Sequence, residues 1–170
     1  MRNVKTPTLC QWPDGSASTR NLIHSDNPSE IEVYYMHADS TILHRSDGGP
    51  ARVIVSANTH MPVLVLWCEN DTWSQRRLAA GLPTCFDENY FEWIEHTGNH
   101  NPNGPAVVYN DGDYAYHIKS VRVSTERFGE QYMITHLEEY AHMSKEQAIE
   151  LYDNLHLEMM GWVEKELAML

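Results

Sequence analysis

Two short segments gather residue types that do chemistry in proteins. His44–Ala51 reads HRSDGGPA and His100–Ala106 reads HNPNGPA. Each opens on an imidazole and passes through an Asp or Asn into Gly-Pro-Ala. An imidazole beside a carboxylate can move a proton, and two imidazoles at helical spacing can hold a metal. His96 and His100 are four apart, but Thr97-Gly98-Asn99 between them reads as a turn, and only a helix would align the two rings. His136 and His142, six apart, fall on different helical faces and read as surface histidines. No metal site is expected.

Carboxylates for hydrolysis are available at Asp47, Asp111, Asp113 and the Glu138-Glu139 doublet, positions typical of turns and solvated surfaces. The chain has no G-x-S-x-G elbow, no Walker loop, no G-x-G-x-x-G and no cysteine within a catalytic signature. The sequence therefore assigns no catalytic residue and no cofactor, and it favours a protein that is not an enzyme. An unrecognised hydrolase is retained as an alternative, because the members of a triad meet in space rather than in sequence.

The elements that must position these residues are strands. Glycine admits positive φ, proline fixes φ near −65° and donates no N–H, and the residue before proline is driven out of the helical region. Gly49-Pro50-Ala51 and Gly104-Pro105-Ala106 thus start strands after tight loops, at Val53-Ile54-Val55 and Val107-Val108-Tyr109. His44 and His100, just ahead of these turns, are expected to hydrogen-bond loop backbone. Tyr90, Trp93 and Ile94 precede the second copy, and Asp111-Gly112 turns the chain into Tyr114, Tyr116 and Ile118. Ile31, Val33, Tyr34 and Tyr35 precede the first copy, and Val63–Trp67 follows it as a run of buried-strand type. A degraded third copy begins at His24 (HSDNP).

This succession of aromatic strand, Gly-containing turn, His-Arg, Asp-Gly-Pro-Ala turn and second strand resembles the short "HR-x-DGPA" repeats of many phage, large-virus and bacterial proteins. Those are similar in style to MORN-type β-hairpin repeats. The resemblance covers residues 30–118. It departs from the pattern at the additional glycine of Gly48-Gly49 and at Asn101, where an arginine is expected. It implies a meander of hairpins and a viral accessory origin, and it carries over no catalytic residue.

The 170 residues suit a single domain with its own core, 1–123 mainly β repeats with a short helical insertion near 72–80 and 124–170 an acidic helical segment. Met1–Cys10 has no apolar signal region and no stretch reaches membrane-span length, so a cytoplasmic protein without membrane contact is expected. Cys10, Cys68 and Cys85 are an odd number at wide spacing and read as reduced thiols, Cys68 in the core beside Trp67. The formal net charge is −12; residues 124–170 hold ten Asp or Glu against three Lys or Arg. That balance argues against direct nucleic acid binding, which draws affinity from cations, leaving Arg76-Arg77 as a small local patch.

Ser144-Lys145-Glu146-Gln147 has the form of a capping box. From there Leu151, Tyr152, Leu155, Met159, Trp162, Val163, Leu167 and Leu170 recur near the 3.6 period, Gly161 is a candidate bend, and Glu146, Glu150, Asp153 and Glu164 form an acidic stripe. A preceding helix, starting either at the capping-box candidate Thr135-His136-Leu137-Glu138 with Leu137, Tyr140 and Ala141 facing inward, or near Thr125 and running through Glu139, would complete a helical hairpin. The fold class is therefore α+β, an antiparallel β-meander of repeated hairpins followed by a C-terminal helical hairpin, with the helices protecting a sheet edge. The expected function is that of a non-enzymatic binding protein, a phage-type accessory or anti-defence inhibitor of a host protein. Its binding residues would be Glu146, Glu150, Asp153 and Glu164, with Tyr114 and Tyr116 beside Tyr34 and Tyr35 as surface aromatics. Two other classes compete: a nucleotide-signal binder using Tyr114, Tyr116, Arg45, Arg52 and Lys119, which would co-purify with ligand, and a homo-oligomer built on the repeats.

Overall fold

β-Branched and aromatic residues are frequent in the central strands, and Gly, Pro, Asn and Asp punctuate them. The computed structural model describes residues 3–4, 6–26, 29–96, 98–99, 101, 104–118, 121–123 and 143–170, without the side chains of 3–4, 25–26, 116–118 and 121–123. His100, Lys119, His136, Glu138, Glu139, His142 and the expected helix before Ala141 lie outside the described residues. The chain runs β1 (Asn3–Val4), β2 (Thr8–Gln11), β3 (Ala17–Asp26), β4 (Ser29–His37), β5 (Arg52–Ser56), β6 (Pro62–Leu66), β7 (Cys68–Glu69), β8 (Thr72–Trp73) and helix α1 (Gln75–Ala79). It continues through β9 (Cys85–Asp87), β10 (Tyr90–Glu92), β11 (Ile94–Glu95), β12 (Gly98–Asn99), β13 (Val107–Tyr109), β14 (Tyr114–Ile118), β15 (Val121–Val123) and helix α2 (Lys145–Leu167).

The fold is α+β: one large antiparallel sheet and a C-terminal helix. Sheet order is β1-β3-β4-β5-β6-β9-β10-β13-β14-β15, with β2 also paired to β3, and the ribbons β7-β8 and β11-β12 stand off it. Registers place Leu22, Val33, Val53, Val65, Phe86, Phe91, Val108 and Tyr114 directly opposite one another in succession. Because opposite residues share a face, this is one apolar row crossing the sheet. α2 lies over it. Gly112 in the β13–β14 turn meets Lys145 and Ile149 at the start of the helix, Phe91 and Tyr152 stack edge to face at 5.3 Å, and Tyr35 and Arg20 meet Glu166 at its end. The helix has 23 residues, about 34 Å at its usual rise, against about 29 Å for the six strand steps from β3 to β13, so one helix suffices to cover the row.

Ala148, Tyr152, Leu155, Met159, Val163 and Glu166 are the buried positions of α2, at spacings of three and four. Burial of Leu155, Met159 and Val163 contributes roughly 1.5–3 kcal/mol each. The helix runs unbroken through Gly161. The capping box is present: Ser144 Oγ accepts the Gln147 N–H at 3.1 Å, and the Ser144 N–H reaches Gln147 Oε1 at 2.8 Å. Ser144→Ala should lower stability by about 1 kcal/mol, read as a shift of the urea midpoint at constant slope.

Three sequence expectations need correction. α1 is shorter than residues 72–80, because Ser74 caps it by accepting the Arg77 N–H at 3.3 Å. β6 is not buried on both faces: Val65 is 0 % exposed while Leu64 and Leu66 are half-buried, since only one face lies under α2. Tyr35 is not a surface aromatic. It alternates in register with Ile31 and Val33 and is 3 % exposed on the helix side.

Candidate functional site

The signature His44-Arg45-Ser46-Asp47 sits where the end of α2 meets the sheet, and all its side chains converge on buried polar contacts. Arg45 is the centre. Its NH1 donates to Glu166 Oε1 at 2.7 Å and to the Pro50 carbonyl at 3.3 Å, and its Nε and NH2 grip Asp47 at 2.7 and 3.1 Å. Rings of Tyr35, Trp162 and Trp12 lie 4.6, 5.0 and 5.5 Å from the guanidinium carbon. Glu166, 1 % exposed, also accepts from Arg20 Nε at 2.9 Å and from the Tyr35 hydroxyl at 2.7 Å. Two guanidinium groups and two carboxylates thus neutralise one another, with Glu166 fully buried and Asp47 partly exposed. Burial works to raise the Asp47 carboxyl, but hydrogen bonds and charge from Arg45 outweigh it and hold the group below the usual carboxylate range.

The glycines of the turn follow from this arrangement. Gly48 takes φ +93°, whereas Gly49 is demanded by close approach: a Cβ there would lie 2.4 Å from Arg45 Cζ. The second copy repeats the contact in shorter form. Asn101 Nδ2 donates to the Pro105 carbonyl at 2.7 Å, as Arg45 does to Pro50, and among the described residues a Cβ on Gly104 would find only Asn101 Nδ2 at 3.5 Å. Ala51 and Ala106, both 0 % exposed, accept the N–H of Tyr35 and Trp93 respectively.

His44, on the other side of Arg45, bonds loop backbone as expected: the Asn70 N–H donates to its Nδ1 at 3.1 Å. Its Nε2 lies 2.8 Å from Ser16 Oγ, and Ser16 Oγ in turn donates to Asp14 Oδ1, whose carboxyl is held down at about 2 by Ser16 hydrogen bonds. A serine at that distance from a histidine is the geometry of a nucleophile and its base. The tautomer runs the wrong way. With Nδ1 accepting a backbone N–H, the neutral ring carries its proton on Nε2 and donates to Ser16 instead of accepting from it. The two buried thiols are no better placed, since burial pushes Cys68 and Cys85 up to about 12 and keeps them protonated.

The remaining expected residues are scattered. Glu146, Glu150, Asp153 and Glu164 are exposed along one line of α2. Tyr114 is half-buried, and its hydroxyl donates to the Met143 carbonyl at 2.8 Å, so it steadies the start of α2. Tyr116 is placed in β14 by its backbone. Arg52 pairs with Glu32 at 2.8 Å on the face of the sheet opposite Arg45, so these two of the cations expected for a nucleotide pocket do not converge. Arg76-Arg77 forms no basic patch: Arg77 is 4 % exposed over the Trp67 ring, bound to Glu158 at 2.7 Å, and Arg76 reaches Glu69. Asp111 accepts the Asp113 N–H in the β13–β14 turn.

Among the described residues no group of three His, Cys, Asp or Glu side chains is placed to hold a metal, and no helix is long and apolar enough to cross a membrane. The chain matches no protein-family model, no curated protein and no solved structure.

Proposed function

We propose that this is a non-enzymatic binding protein, a phage-type accessory or anti-defence inhibitor that engages a host protein in the cytoplasm through the outer face of α2. On this reading the two signature copies are one hairpin unit used twice, which the matched Arg45–Pro50 and Asn101–Pro105 contacts support. The observation that carries the proposal is the exposed ridge of the helix. Glu146, Glu150, Asp153, Leu157, Gly161, Glu164 and Ala168 follow one another at spacings of three and four, all exposed, with Leu157 at 74 % in the middle. Among the described residues, none of the four ridge carboxylates makes an ion pair, whereas Glu158 and Glu166 on the flank and inner face are both paired.

Carboxylates one turn apart offer a row of negative charge that a basic groove built for phosphates would accept, and an exposed leucine adds an apolar contact at its centre. Reversal of Glu146, Glu150 and Asp153 to Lys should abolish capture of the partner from lysate of the natural host. The thermal midpoint should stay in place, because none of the three is buried. Capture that survives the reversal, or that is indifferent to salt, would overturn the proposal; excess absorbance near 260 nm in the purified protein would favour a nucleotide binder instead.

A further inference from the structure

His44 is 2 % exposed and stands where three loops meet the sheet, with both ring nitrogens committed. Nδ1 holds the Asn70 N–H of the β7–β8 turn, and Nε2 holds Ser16 of the β2–β3 turn, whose Oγ also lies 3.1 Å from Ser46 Oγ. The His37 ring of β4 stacks on His44, 4.2 Å between centroids and 13° from parallel, and its Nε2 meets Asn70 Oδ1 at 2.8 Å. Asn70 is therefore gripped twice, by backbone and by side chain. It and Asp71 have φ of +52° and +60°, the two-residue turn of a tight hairpin, and the Asp71 N–H reaches the Leu43 carbonyl.

We infer that His44 is a pH-operated latch: its neutral ring fastens the β7–β8 hairpin and the β2–β3 turn to the sheet, and its protonation releases them. Only a lone pair on Nδ1 can accept the Asn70 N–H, and a second proton on this ring has no other place to go. The imidazolium would thus point N–H at N–H and lie flat against His37, while the donation from His37 to Asn70 Oδ1 holds in either charge state of His37.

The charged and titratable groups facing the ring are His37 from β4, Asp14 from the β2–β3 turn and Glu69 from β7. Burial first, and His37 second, hold the His44 ring below its ordinary value of 6.5, with Asp14 and Glu69 opposing them. An unfolded chain therefore takes up this proton at higher pH than the folded one. The latch is at full strength above pH 6.5 and weakens as pH falls below it.

Hydrogen exchange of the full chain at about pH 7.5 and about pH 5, corrected for intrinsic rates, tests this across the range in which histidine titrates. Protection of the Asn70 amide and of residues 14–18 should fall about tenfold or more at the lower pH, while α2 residues 152–163 keep theirs. His44→Asn, whose Oδ1 can accept the Asn70 N–H without titrating, should show the same protection at both values. In the wild-type chain, nitrogen NMR of His44 at the higher pH should report the Nε2–H tautomer, a readout independent of how the variant folds. A proton on Nδ1, protection at Asn70 that ignores pH, loss spread equally over α2, or pH dependence persisting in His44→Asn would each overturn the latch.

Discussion

Glu166→Gln should destabilise the protein by about 3–5 kcal/mol, the largest effect expected from any single isosteric change in the chain. Gln keeps the size and one acceptor of the side chain but removes its charge. Arg45, at 7 % exposure, and Arg20, at 10 %, then face each other's charge with only Asp47 to balance them. Neither guanidinium can lose its proton to escape, and neither can swing to water: Arg45 lies among Trp12, Tyr35 and Trp162, and Arg20 also holds the Glu166 carbonyl at 3.2 Å. For a chain of 170 residues the thermal midpoint should fall by about 10 °C. Glu166→Asp, which keeps the charge and shortens the reach, should recover part of the loss. A urea midpoint for Glu166→Gln within about 1 kcal/mol of wild type would show that the cluster is open to solvent or otherwise compensated. The converse matters for the proposed function, because a buried and neutralised carboxylate leaves the ridge on the opposite side of α2 as the helix's exposed acidic face.

The parts of this arrangement that depend on near neighbours were legible in the residues. Ser144 with Gln147, the apolar period from Tyr152 to Val163, and Gly-Pro-Ala feeding β5 and β13 each follow from interactions within a few positions. Partners distant in the chain were not. Glu166 contacts Arg45 across 121 positions and Arg20 across 146, and no local rule couples them. One signal did point to Glu166: the spacing 152, 155, 159, 163 continues to 166, which puts a carboxylate on the apolar stripe, where a cation must be waiting for it. Trp12 and Ser16 carried no such mark. Tyr35 could have been placed correctly by the period of two that buries Ile31 and Val33. Arg77 could not, because it is turned inward by its stack on Trp67, its bond to the Pro83 carbonyl at 2.8 Å and Glu158 on α2, all tertiary contacts.

Gly49→Ala should cost about 3 kcal/mol, whereas Gly104→Ala, at the matching place in the second copy, should lie within about 1 kcal/mol of wild type. Both glycines precede the proline of a Gly-Pro-Ala turn, and neither takes a left-handed φ, so backbone freedom does not separate them. The neighbouring side chain does. At Gly49 the new methyl would overlap Arg45 Cζ, Nε and NH2 at 2.4, 2.5 and 2.6 Å. A free arginine would move aside at little expense, but this one is held by Asp47, Glu166 and the Pro50 carbonyl, so moving it breaks a buried ion pair. At Gly104 the methyl meets Asn101 Nδ2 at 3.5 Å, ordinary contact. The cause can be isolated by a double-mutant cycle: with Arg45→Asn in place, which copies the second signature, the further cost of Gly49→Ala should shrink to that of Gly104→Ala. A cost that persists without the arginine would assign the requirement to the backbone of the turn. A coupling of about 2 kcal/mol or more would show that the extra bulk of Arg45, recruited to hold the end of α2, is what distinguishes the first copy from the second.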